Sequence, residues 1–323
     1  MQAVFIQIFL LMLFITVGYV LCKTGKADKS HSKLLSVLGF HVFLPANVFK
    51  TFSTYFTVEY LSEKYPLVLI CAVFVIVMML SGIPISKLMS KDKYQQSIYR
   101  YSLISSNYGY VGYTLAFSIF GEMMLMNVMM FAVPLSIYTY SVGYCMLTKN
   151  KLSFKRLLNP VNIALAAGAV VGLTKPYIVI LFTTYLPEFT AFITPIGTPV
   201  LEFVTSFLNK AQACMGPISM LLTGMVISEY KFKDMLSQKS VYVMAALRLI
   251  VIPFAVCGLL LLLGLKDFLI PTLIMLALPC GLNTIVFPKL VGEDCKTGAA
   301  LACLTSVLCC ITIPFALWVF GVY

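Results

Sequence analysis

The chain has 323 residues, 60% of them hydrophobic and 11% charged, with 23 Lys and Arg against 12 Asp and Glu. A soluble domain carries roughly 45–50% apolar and 25% charged residues, so these proportions exclude one and describe a chain immersed in lipid. The basic excess does not point to nucleic acid, because the lysines and arginines sit in short clusters between apolar runs, the pattern that orients membrane proteins.

The first apolar run, "MQAVFIQIFLLMLFITVGYVLC", lacks a basic leader and is too long for the core of a signal peptide. Its lysines (Lys23, Lys26, Lys29, Lys33) follow it, so it reads as a first span with its N-terminus outside. Apolar runs and loop punctuation then predict ten spans, at 4–22, 34–56, 65–87, 97–120, 123–148, 157–174, 203–228, 240–264, 268–290 and 296–320. The stretch 175–202 contains four prolines and reads as a partly interfacial connection, not an eleventh helix. The ten cysteines lie mostly inside apolar segments and form no C-x-x-C pair, so neither a metal, a cofactor nor a disulfide framework is expected.

Charge fits ten spans. Seventeen basic residues fall in the loops after the odd spans and five (Lys50, Lys64, Lys175, Lys210, Lys266) after the even ones or on their flanks, with Arg248 left inside span 8. The odd loops are therefore cytoplasmic and both termini extracytoplasmic. An eleventh helix would invert the second half.

Span 4 raises a question, because "SLISSNYGYVGYTLAFSIFGE" (102–122) carries Asn107, Gly109 and Gly112 at its centre. Shifting the chain by 171 residues sets "GYVGYTLAFSIFGE" (109–122) opposite "CGLNTIVFPKLVGE" (280–293), Gly-Glu on Gly-Glu. The first half holds five spans, an odd number, so the second half enters upside down. This describes two inverted five-helix repeats, 1–148 and 149–323, a plan common among secondary transporters. Paired interruptions at Asn107–Gly112 and Pro279–Asn283 are tolerable at membrane depth only where protein or water surrounds the freed backbone. Each second half-helix then aims its partly positive N-terminus at the midplane, which favours an anion without a buried lysine. The residues around the breaks, Asn107, Tyr108, Gly109, Gly112, Pro279, Cys280, Gly281, Asn283 and Thr284, become the candidate substrate site. The blander alternative is that the Gly and Pro residues only let helices pack closely.

The stretches "ALPCGLNTIVFPKLVGE" (277–293), "SNYGYVGYTLAFSIFGE" (106–122), "HVFLPANVFKTF" (41–52), "LLNPVNIALAAGAVVGL" (157–173) and "LRLIVIP" (247–253) resemble the auxin efflux carrier family. The resemblance covers almost the whole chain in order and is weakest over 175–202. It implies an all-α integral membrane fold of ten helices, similar to sodium/proton antiporters and bile-acid symporters. Spans 1, 2, 6 and 7 would form a scaffold, and spans 3–5 and 8–10 a transport unit with crossed, broken spans 4 and 9. Asn107 and Pro279 fall where the family's crossover asparagine and proline fall. Thr114 stands where relatives usually carry proline. The implied substrate is a small organic anion such as malate, malonate or an auxin-like acid, moved by a plasma-membrane permease. A homodimer through the scaffold helices is a further expectation.

Arg248, nine residues past Lys239 and so about 13 Å into the bilayer at ~1.5 Å per residue, either pairs with a substrate carboxylate or caps the carbonyl end of span 4's first half. The cap is the simpler role, because Arg248 fits the family's "LRL" pattern whatever the substrate. His41 titrates in the right range for a proton relay but has no acidic partner within sequence reach. Pro45 and Asn47 on span 2, and Gly216–Pro217 on span 7, occupy scaffold positions facing the site. Acidic residues keep to loops and helix ends, which argues against cation exchange through a carboxylate pair. The competing function is a receptor or regulatory protein on the same fold, supported by Thr114 and 175–202. No H-E-x-x-H, G-x-S-x-G or plausible Ser/His/Asp set suggests an enzyme.

Overall fold

Long apolar runs leave the backbone one way to satisfy its N–H and C=O groups in lipid, the helix. The computed structural model describes residues 2–230 and 238–322, and every named element in it is helical. Lys231 and Lys233, two of the basic loop residues counted above, lie outside the described residues.

In chain order, α1 is Gln2–Lys23, α2 Lys29–Leu38, α3 Leu44–Tyr55, α4 Val58–Lys64, α5 Pro66–Met89 and α6 Lys93–Ile104. Then come α7 Tyr113–Tyr138, α8 Tyr144–Thr148, α9 Pro160–Ile180 and α10 Pro187–Ser228. The chain closes with α11 Lys239–Ala246, α12 Ile252–Leu262, α13 Leu269–Leu276, α14 Asn283–Leu290 and α15 Lys296–Val319. Several neighbours (α2 and α3, α7 and α8, α11 and α12) run on through a wide π turn and form one continuous rod.

Helix α5 shows how lipid shapes these rods. Its 24 residues reach about 36 Å at ~1.5 Å per residue, enough to cross a core of about 30 Å. Leu69, Val73, Ile76 and Leu80 point outward while Leu67, Cys71, Phe74 and Val75 are buried against α6 and α7. Both faces are apolar because both solvents, lipid and protein interior, are apolar.

Two packed groups emerge. Helix α1 lies along α10, and α3 lies along α9 and α10. The α3–α9 contact is backbone on backbone: a Cβ on Gly172 would come 2.5 Å from Phe52 O, and one on Gly168 2.9 Å from Phe49 O. Glycines four apart let two membrane helices approach in this way. The second group packs α5 on α6 and α7, and α11 to α14 around α15.

Among the described residues, eight helical stretches are long and apolar enough to cross a membrane: Phe5–Lys23, Ser30–Tyr55, Pro66–Met89, Tyr108–Thr148, Pro160–Tyr185, Gly197–Ser228, Lys239–Leu262 and Lys296–Val319. The expected spans 4 and 9 are missing from this set because both are interrupted. The first half of span 4 is the short α6, and its second half joins span 5 in Tyr108–Thr148. Gly121 turns the chain inside that stretch with φ 80 and ψ −168, a conformation essentially reserved for glycine.

The stretch 175–202 corrects the sequence reading. It is helical on both sides of Leu186, in α9 with its terminal π turn Leu181–Tyr185 and in α10. Pro187 opens α10 at its first turn, where a missing N–H costs nothing. Pro176, Pro195 and Pro199 are carried inside helices. At 42 residues, α10 is about 63 Å long at ~1.5 Å per residue, twice the hydrocarbon thickness. Spans 6 and 7 are thus longer than 157–174 and 203–228.

Candidate functional site

The two interrupted helices meet at their breaks. Helix α6 ends at Ile104, and Ser105 is extended (φ −93, ψ 119). Asn107 follows with φ −80 and ψ 52, and the π turn Tyr108–Gly112 leads into α7. Helix α13 ends at Leu276 and α14 starts at Asn283. Between them, Ser106 and Cys280 form an antiparallel bridge, and Asn107 N donates to Pro279 O at 2.9 Å.

The freed backbone groups find partners one by one. Ser106 Oγ donates to Met275 O at 3.2 Å. Cys280 N donates to Thr305 Oγ1 at 2.9 Å, and Thr284 Oγ1 donates to Gly281 O at 2.8 Å. Arg248, fully buried, donates from Nη1 to Leu103 O at 2.9 Å, capping the last turn of α6. Such accounting is obligatory at membrane depth. Among the buried side-chain atoms with no protein partner are Asn107 Nδ2, Ser102 Oγ, and Arg248 Nε and Nη2 near the crossover, and Asn47 Oδ1 and Thr51 Oγ1 on α3.

Two expected features of the crossover differ in detail. Span 4 does not unwind across Asn107–Gly112; its break is 105–107, and Gly109 and Gly112 lie in the π turn. Gly112 serves close approach instead, since a Cβ there would sit 2.5 Å from Leu278 Cδ1 across the crossover. Asn283 does not share a pocket with Asn107. Its Nδ2 donates to the Tyr101 hydroxyl on α6 at 3.1 Å, within an aromatic cluster of Tyr101, Tyr138 and Phe287.

Beside the crossover, a cavity of about 280 Å³ opens between α1, α3, α7 and α10. Its polar lining is Gln7, Asn47, Tyr113, Thr114, Ser118 and Gln212, and among the described residues no charged side chain forms part of the lining. At one end Lys50 Nζ donates to Glu122 Oε1 at 2.7 Å and to Gln212 Oε1. Gln212 Nε2 in turn donates to Glu122 Oε2 at 3.3 Å. The cavity is slightly below the usual range for small-molecule sites, roughly 300–1,000 Å³.

Comparison with known proteins adds the decisive observation: a family model described as "Membrane transport protein" matches residues 3–156 and 145–317. The chain belongs to the auxin efflux carrier family. No curated protein matches it. Family membership makes this carrier a multi-pass membrane transport protein, and points to transport and not catalysis.

Within the carrier, the residues singled out by sequence divide into three places. Asn107, Tyr108, Gly109, Gly112, Pro279, Cys280, Gly281 and Thr284 form the crossover, with Arg248 behind the end of α6. Asn47, Thr114, Gly216 and Pro217 line the cavity, whereas Pro45, in the first turn of α3, does not. His41 is exposed on its helix, its Nδ1 3.1 Å from Val37 O one turn earlier, so it meets no acidic side chain there. Sequence reasoning missed Gln7, Tyr113, Ser118 and Gln212, and it counted Lys50 only among the charges in and flanking the even loops. The available signal was spacing: Lys50 lies three residues past Asn47, on the same helix face.

Proposed function

We propose that this carrier moves a small organic anion, a carboxylate, across the plasma membrane by alternating access. The reading counts ten spans as two inverted five-span repeats, with α6 and the 108–120 segment as span 4 and α13 with α14 as span 9. The α5–α8 and α11–α15 unit moves against α1–α3, α9 and α10. The observation that carries it is the crossover, where two interrupted helices exchange backbone bonds beside a cavity shared by both units. Half-helix N-termini pointing at such a crossing favour negative charge, and the cavity lining is largely apolar, with a few neutral polar groups among it.

Flux tests it. Proteoliposomes are expected to take up radiolabelled malonate or malate, and to exclude an organic cation of similar size. Equal flux of the cation would reject the anion reading, and no flux of any organic acid would favour a non-transporting receptor. Charge asymmetry supports an orientation with both termini and Glu188 outside the cell. An engineered thiol near Glu188 should react with an impermeant reagent on intact cells, while one near Lys151 stays protected; the reverse pattern would overturn the orientation. A homodimer through the scaffold helices accompanies this proposal.

A further inference from the structure

We infer that Lys50 reads the charge of the substrate: it is a specificity-determining residue that gives up Glu122 for the carboxylate of an incoming anion. The inference rests on the proposed anion transport through the cavity between α1, α3, α7 and α10.

Three independent elements deliver the components to one end of that cavity. Helix α3 places Asn47 on the lining and Lys50 one turn further on the same face. Helix α7 lines the cavity through Ser118, then turns at Gly121 and presents Glu122. Helix α10 contributes Gln212, which lines the cavity and also accepts from Lys50. The ammonium is therefore one hydrogen bond away from the cavity wall. Its side chain is only 15% exposed, against 26% for Glu122, so Lys50 is held inside the protein and not in bulk water.

The chemistry follows from what the lining lacks. A carboxylate entering a cavity without charged walls loses its hydration and needs a counter-charge. The half-helix dipoles supply a partial charge. Lys50 supplies a full one at no insertion cost beyond that already met by its pairing with Glu122. When a substrate carboxylate takes Glu122's place on Nζ, Glu122 keeps the Gln212 amide, which already donates to it at 3.3 Å. A neutral amide analogue cannot displace a carboxylate from an ammonium, because charge-assisted hydrogen bonds are roughly twice as strong as neutral ones. Discrimination between an acid and its amide is thus set at this one side chain.

The two partners of the pair give opposite signs, which a merely structural ion pair would not. Binding of malonate and of malonamide to the purified protein in detergent is measured by calorimetry for wild type, Lys50→Met, Glu122→Gln and Asn47→Leu. Wild type is expected to prefer malonate. Lys50→Met should weaken malonate by roughly tenfold and bring the two ligands close to equal. Glu122→Gln removes the competitor, so malonate should bind several-fold tighter with malonamide little changed. If both variants weaken malonate alike, or if Lys50→Met keeps the preference, Lys50 is structural and the inference falls while the cavity assignment stands. If Asn47→Leu leaves malonate binding intact, the cavity is not the substrate site and both fall together. Should Lys50→Met fail to fold, Glu122→Gln decides alone, because only the exchange model expects a gain.

Discussion

Asn107 and Asn283 stand at matching interruptions, yet their amides live in different surroundings. Asn107 Nδ2 is buried without a protein partner, while Asn283 is spent on the Tyr101 hydroxyl. Replacement by leucine, similar in volume but without the amide, should therefore separate function from stability. Asn107→Leu removes a donor that nothing in the protein accepts, so detergent melting should stay at the wild-type value or rise. Its transport should fall by roughly tenfold or more, since an interaction of about 1.4 kcal/mol with the passing substrate is worth a factor of ten. Asn283→Leu removes one partner of the fully buried Tyr101 hydroxyl, which keeps Ser105 and Thr139 beside it, so the melting point should fall by less than the ~1–3 kcal/mol of a fully stranded group. Parallel flux and melting measurements check both, and full transport by Asn107→Leu would make the crossover a packing device.

At the scale of elements, what the sequence made legible was whatever repeats or recurs locally. The 171-residue shift paired Gly121–Glu122 with Gly292–Glu293, and the fold treats them alike. Both glycines have positive φ, 80 and 72, and both glutamates meet a lysine, Glu122 with Lys50 and Glu293 with Lys149. The interruption of spans 4 and 9 was readable because Gly, Asn and Pro are costly inside lipid-exposed helices. Other features depend on partners far along the chain. Lys50 gains its meaning from Glu122 and Gln212, 72 and 162 residues away, so a count of loop charges passes over it. The destination of the Asn283 amide, Tyr101, lies 182 residues back. The stretch 175–202 is harder to read for a different reason: proline is a breaker by its chemistry, yet the first turn of a helix accepts it and long apolar helices tolerate it elsewhere.

For the molecule as a whole, the question is whether the group containing α7 moves against the group containing α10. One contact offers a direct handle. A Cβ built on Gly216 lies 3.9 Å from Thr114 Cβ and 2.8 Å from Thr114 Cγ2. A disulfide needs Cβ atoms about 3.5–4.5 Å apart, so Thr114→Cys with Gly216→Cys should cross-link α7 to α10, and the first substitution also removes the methyl that would obstruct the second. Cys214 is exposed two residues away, so it is replaced by serine in the background to keep the pairing unambiguous. Peptide mass mapping should find the bridge after mild oxidation. If alternating access requires sliding at this contact, the oxidised double variant should lose nearly all malonate flux and regain it on reduction, while Thr114→Cys alone is unaffected by oxidation. The lock should spare ligand binding, because the cavity is present with α7 and α10 already in contact. A bridged protein that transports at the reduced rate would show that α7 and α10 travel together, and the moving boundary would then have to lie elsewhere in the fold.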